Sequence, residues 1–193
     1  ENGETMGTRT DRKKKKGIDP FYWKAALVLA AVLFLRTFVM GTIYVKGTSM
    51  EPNFHHGDLL LVNKLPIALD YEDVVICRIS RGETSENIIK RVIGKPGDEI
   101  VIEEDMNQAG ETSCQVWRNG ELLEEAYILE PMEQIGDLEY PYTVEENHYF
   151  VLGDNRNAST DSRQSYIGTI AREDITGKVF FRLFPFDAFG TVD

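Results

Sequence analysis

The sequence is short of the residues from which common hydrolytic sites are built. It has three histidines, His55, His56 and His148, and no Gly-x-Ser-x-Gly elbow, so nothing in it matches a Ser-His-Asp triad. His55 and His56 follow Ser49 closely, but neighbouring side chains usually point apart, which makes either a poor base for that serine. There are two cysteines, Cys77 and Cys114, and His55-His56 have no nearby cysteine or paired carboxylate, so neither a metal site nor a cofactor is expected. Basic residues are outnumbered, 21 against 32 acidic ones for a net charge of −11, which argues against a nucleic-acid partner. Nothing repeats at a period of roughly 20 to 50 residues, which makes a solenoid a poor fit.

What is present is unevenly placed. Residues 1–24 hold seven basic and four acidic residues, leaving fourteen basic against twenty-eight acidic in the remainder. Arg9, Arg12, Lys13, Lys14, Lys15 and Lys16 stand directly before a hydrophobic segment, where basic residues stay on the cytoplasmic side and favour anionic headgroups. Asp19-Pro20 reads as an N-cap followed by proline at the first helical position, and Phe21-Tyr22-Trp23 as an interfacial aromatic belt. Every residue of 25–35 is apolar, and a helix over 21–41 spans about 30 Å, enough to cross the hydrocarbon core, with Arg36 snorkelling outward. A cleaved secretory signal begins the same way, but no convincing Ala-x-Ala site follows Leu35. The expectation is a basic cytoplasmic tail over 1–19, a transmembrane anchor over 20–41 and an extracytoplasmic domain over 42–193.

Beyond the anchor, short runs rich in β-branched residues alternate with turns. Strands are expected over 59–62, 74–79, 88–93, 99–102, 115–118, 148–152 and 178–183. Gly57-Asp58, Pro96-Gly97-Asp98, Asn119-Gly120 and Gly153-Asp154 punctuate them, and Asn119-Gly120 is a two-residue hairpin signal. This pattern implies a mostly β, antiparallel domain. Ser49, in Gly47-Thr48-Ser49-Met50-Glu51-Pro52, is the candidate nucleophile and needs a base and oxyanion donors. Lys90, between Asn87-Ile88-Ile89 and Arg91-Val92-Ile93, has two readings. It faces solvent from one side of a strand, or it is desolvated and neutral, at about 1.4 kcal/mol for each unit of pKa depression. Ser49 lies eleven residues after Phe38, so it stays within about 36–40 Å of the anchor's outer end.

Several ordered boxes bear on that choice. Arg36-Thr37-Phe38, Ser49-Met50-Glu51-Pro52, Gly57-Asp58 with Val62-Asn63-Lys64, Lys90-Arg91-Val92-Ile93-Gly94-Lys95-Pro96-Gly97-Asp98, and the run from Gly153 to Arg163 together resemble type I signal peptidases, in a Gram-positive-like short form. The resemblance implies a barrel-like, antiparallel β catalytic domain behind one transmembrane helix, with a variable insertion over about 103–146. It implies a membrane-bound serine endopeptidase of the cell membrane that removes signal peptides from exported precursors after small residues. It places the nucleophile at Ser49 and the general base at Lys90, with Ser159 orienting the lysine and Asp161 and Arg163 as supports. On charge alone, Arg91 and Arg163 are expected to neutralise Asp154 and Asp161. The Ser49 backbone N–H is the natural oxyanion donor; where some members add a serine hydroxyl, this chain has Gly47.

Asn53-Phe54 departs from the usual Thr-Leu, Tyr71-Glu72-Asp73 from Arg-Gly-Asp, and Lys95 from an apolar residue. A domain outside the cytoplasm permits a Cys77–Cys114 disulfide, although buried free thiols are as common. The implied partners are signal peptides and membrane lipid; nothing in the sequence sets a subunit number. Alternatives are a silent assembly factor for surface pili, a peptidase of narrow range, a self-cleaving repressor and a membrane-tethered binding module. A silent factor would be expected to lose Ser49 or Lys90, and a repressor would carry a DNA-binding domain in place of the anchor.

Overall fold

A computed structural model describes residues 19–82, 84–106 and 112–192. The basic cluster from Arg9 to Lys16 lies outside them. The chain enters through helix α1 (Pro20–Phe34), capped as expected: the Asp19 carboxylate accepts the Phe21 N–H at 2.9 Å and proline opens the helix. Leu35–Val39 continues it as a π-helical turn, so Pro20–Val39 is long and apolar enough to cross a membrane. Among the described residues none buries a side chain of this helix. The helix stops two residues short of the expected boundary, because Met40 and Gly41 open strand β1 (Met40–Tyr44).

Strands β2 (Leu59–Asn63), β3 (Val74–Arg81), β4 (Thr84–Gly94), β5 (Glu99–Met106), β6 (Thr112–Arg118), β7 (Glu121–Leu122), β8 (Tyr142–Thr143), β9 (His148–Leu152), β10 (Ile170–Ala171), β11 (Ile175–Phe184) and β12 (Gly190–Thr191) follow. The larger sheet runs β1-β2-β11-β3-β4-β9-β10, with β12 beside β11; the smaller runs β7-β6-β5-β8. All pairings are antiparallel, as the alternating pattern implied, and the larger path has free ends at β1 and β10. Asn119 and Gly120 take φ of 54° and 79°, the left-handed pair that closes the β6–β7 hairpin.

Each β4 residue from Ile89 to Gly94 is buried, Lys90 and Arg91 included, and the apolar members of this stretch join three cores. Ile89 packs with Val45, Met50, Phe54, Leu60 and Val74; Val92 packs with Val75, Cys77, Val151 and Ile175. Ile93 packs with Ile100, Val116, Met132 and Phe150 under the smaller sheet. Sequence reading saw only four residues of β5 because the strand is amphipathic only there: Glu103–Met106 pairs with β6 but faces water on both sides. Cys77 and Cys114 are both buried free thiols in separate cores, and burial pushes the Cys77 thiol up to about 12.

Candidate active site

Ser49 sits in a tight turn between β1 and β2. Met50 and Phe54, each 1 % exposed, drive into the core below it, and the Phe54 N–H donates to the Met50 carbonyl at 2.9 Å. Burying two such side chains contributes about 1.5–3 kcal/mol each, which pins the turn and leaves Ser49 half-buried at the surface. The Asn155 N–H donates to the Ser49 carbonyl at 3.1 Å, tying the turn to the Gly153–Arg163 loop.

Lys90 arrives from β4 beside Ile89 and is 2 % exposed, so its solvent-facing reading fails. Its Nζ lies 2.9 Å from Ser49 Oγ and 2.8 Å from the Ile89 carbonyl. Burial lowers the lysine pKa from its ordinary 10.5, partly opposed by the charges of Asp161 and Asp154. Charge balance acts in the same direction. Three buried arginines have their own carboxylates: Arg91 with Asp154, Arg156 with Glu125, and Arg163 with Asp161. Among the described residues Lys90 has no ion pair, so an ammonium there is an uncompensated buried charge.

The supporting residues meet as expected in part. Arg91 grips Asp154 with two bonds of 2.9 and 2.7 Å, and Arg163 grips Asp161 at 2.8 and 3.0 Å. Asp161 also accepts the Gly153 N–H at 3.1 Å. Ser159 departs from expectation: among the described residues its buried Oγ has no hydrogen-bond partner, and no bond joins it to Lys90. Lys90 turns its amine to Ser49 and the Ile89 carbonyl, while Ser159 is packed against Gly153. A Cβ at position 153 would lie 2.2 Å from Ser159 Oγ and 2.5 Å from the Ser49 carbonyl oxygen, so only glycine fits.

Neither neighbouring histidine reaches Ser49. His56 Nδ1 accepts the Gly47 N–H at 3.3 Å, and both rings are exposed. Thr48 is exposed beside the cleft, and among the described residues no acceptor takes the Ser49 N–H. Sequence reasoning missed Asn53, whose amide reaches Asp154, as well as the Arg156–Glu125 pair and Arg182, which bonds the Asn53 carbonyl. Asn53 had shown itself only as a departure from the usual pattern.

Ser49 and Lys90 lie in the wall of a cleft of about 820 Å³. One side is formed by Thr42–Met50 and the other by Ser85–Lys90, with Ala158, Thr160 and Ile167 closing it. Among the described residues each side includes a strand edge without a partner: β1, as far as Tyr44, ends its sheet, and β4 pairs with β9 only from Arg91 onward. Such edges can hydrogen-bond an extended peptide laid between them.

The profile of the family described as signal peptidase, peptidase S26, matches residues 21–184. Signal peptidase I T of Bacillus subtilis (strain 168) is 34% identical, covering 95% of this chain and 96% of that protein. Signal peptidase I of Bacillus licheniformis is 33% identical, covering 90% and 93%. A crystal structure of a signal peptidase I from Enterococcus faecalis V583 covers 58% of this chain and 97% of that one, with a TM-score of 0.43 and 26% identity.

Proposed function

The chain belongs to the peptidase S26 family of signal peptidases, and from that premise we propose that it removes signal peptides through a dyad of Ser49 and Lys90. Signal peptide-bearing proteins are its substrates. The 2.9 Å contact between Ser49 Oγ and the amine of a buried lysine carries the reading. Neutral Lys90 accepts the Ser49 proton as Oγ attacks the scissile carbonyl, and the Ser49 N–H donates to the oxyanion. The lysine, now an ammonium, protonates the departing amine as the C–N bond breaks, which leaves an acyl-enzyme. Water then gives its proton to Lys90 and its oxygen to the acyl carbon, and the ammonium returns a proton to Ser49 Oγ.

Arg91 and Arg163 pair with Asp154 and Asp161, so neither carboxylate is left to form an ion pair with Lys90. Ser159 supports the site by packing against Gly153 beside the Ser49 carbonyl, and wild-type activity in Ser159→Ala would remove that role. Pro20–Val39 anchors the protein in the cell membrane with the N-terminus cytoplasmic and the domain over 42–193 outside. Because α1 leads into β1, the Thr42 end of the cleft is nearest the bilayer. The signal peptide therefore enters there and runs toward Ser49, presenting a small residue at the scissile bond.

The test uses detergent-solubilised protein and an exported precursor with an Ala-x-Ala site. The parent should cut at that site and Ser49→Ala and Lys90→Ala should not. Cleavage by Lys90→Ala would make the base assignment wrong.

A further inference from the structure

Asn53 is four residues beyond Ser49 and is held on three sides by segments distant in sequence. Its Nδ2 uses both hydrogens, donating to Asp154 Oδ2 at 2.8 Å and to the Tyr127 carbonyl at 2.6 Å. Asp154 is gripped by Arg91, and the Arg91 guanidinium lies 4.4 Å over the Tyr127 ring. Asn53, Asp154, Arg91 and Tyr127 therefore form a closed cycle. On the other side Arg182 donates to the Asn53 carbonyl, lies 4.9 Å over the Phe54 ring and faces Asp58 at 3.5 Å.

This cycle joins two pieces of backbone 38 residues apart along the chain (91 − 53). Asn53 ends the turn that carries Ser49, and Arg91 follows Lys90 on β4. Every link is a hydrogen bond or a ring contact between buried or half-buried groups, so the cycle is stiff. We propose that Asn53 is a positioning residue that sets Ser49 Oγ against Lys90 Nζ by locking the serine turn to the Arg91–Asp154 pair. It acts through Asp154 and touches no reacting atom. The proposal rests on the Ser49–Lys90 reading.

Two substitutions separate positioning from general stability. Asn53→Ala removes both donors and lets the turn drift. Misplacement of a nucleophile by about 1 Å costs on the order of a hundredfold in rate, so a fraction of that drift should lower kcat about tenfold. KM should stay within about twofold, because the cleft edges that hold the peptide are untouched. Asn53→Asp preserves shape but exchanges the donor for a carboxylate beside Asp154. The other charges near it are Arg91 through Asp154, Arg182 at the backbone carbonyl, and Asp58 beside Arg182. Once ionised it repels Asp154, so at the alkaline end of the profile its kcat should fall below that of Asn53→Ala.

The experiment measures kcat and KM across pH on a synthetic precursor peptide with an Ala-x-Ala site, using full-chain protein whose folded fraction is fixed by near-ultraviolet circular dichroism. Parental kcat in folded Asn53→Ala would overturn the proposal, as would Asn53→Asp exceeding Asn53→Ala at alkaline pH. Ser49→Ala and Lys90→Ala run alongside. Cleavage by either of them would overturn the dyad itself, and the positioning role with it, whereas their silence assigns any failure to Asn53 alone.

Discussion

Gly153→Ala should disable the enzyme through a single methyl group, and the damage can be divided in two. The new Cβ would stand 2.2 Å from Ser159 Oγ, 2.6 Å from Ser159 Cβ and 2.5 Å from the Ser49 carbonyl oxygen. Ordinary contact begins at 3.4 Å, so the Ser49 carbonyl must retreat by about 0.9 Å, the difference between the last two distances. A shift of that size at the nucleophile costs on the order of a hundredfold in kcat. Overpacking at a buried site costs a further ~1–3 kcal/mol of stability. Ser159→Gly in the same chain removes the side-chain overlaps but leaves the one with the Ser49 carbonyl. The double variant should therefore regain melting temperature without regaining kcat on an Ala-x-Ala precursor peptide. Gly153→Ala with kcat within about threefold of the parent, or a double variant that recovers both quantities, would refute the reasoning.

Lys90→Met should abolish cleavage and stabilise the fold. The folded-state lysine pKa lies below its unfolded value of 10.5, so between the two the unfolded chain binds the extra proton and stability rises with pH. Urea unfolding should show that rise in the parent and a flatter profile in Lys90→Met; equal slopes would contradict it. Arg91→Met leaves Asp154, fully buried, without its cation and should cost about 3–5 kcal/mol. Arg78→Ala breaks a pair whose side chains are 47% and 35% exposed and should cost less than about 1 kcal/mol. Chemical denaturation of the two variants checks the contrast, and comparable losses would contradict it.

Most strands around the site were legible because each is a largely apolar run, rich in β-branched residues in Val74–Arg81 and in aromatic ones in His148–Leu152, between turn residues. Strand β1 was not, because Met40–Tyr44 continues the apolar anchor with no turn residue before it except Gly41 inside the strand. Ser49 and Lys90 were legible only through boxes that resemble a known family; the residues alone left Lys90 with a solvent-facing alternative. What closes around them is made by the fold. Asn53 reaches Tyr127 and Asp154, and Arg182 reaches back to Asn53, contacts spanning 74 to 129 positions that no local pattern announces. Two departures from the usual pattern explain each other: Lys95 Nζ sits 3.9 Å over the Tyr71 ring, whose hydroxyl donates to Asp98 at 3.0 Å. An apolar residue at 95 would lose that cation–π contact, so the two substitutions form one interaction. The orienting bond from Ser159 shows the reverse limit, since a box identifies a residue without fixing where its hydroxyl points.

In the proposed mechanism Lys90 is a neutral amine ready to accept the proton of Ser49. Its ionisation can be read directly by ¹⁵N nuclear magnetic resonance of the lysine side chains in detergent-solubilised Ser49→Ala protein, with Lys90→Met identifying the signal. A midpoint well below 10.5 for Lys90, apart from the exposed lysines, is the expected result. A midpoint at the ordinary lysine value would leave Lys90 an ammonium at working pH and contradict its role as the base.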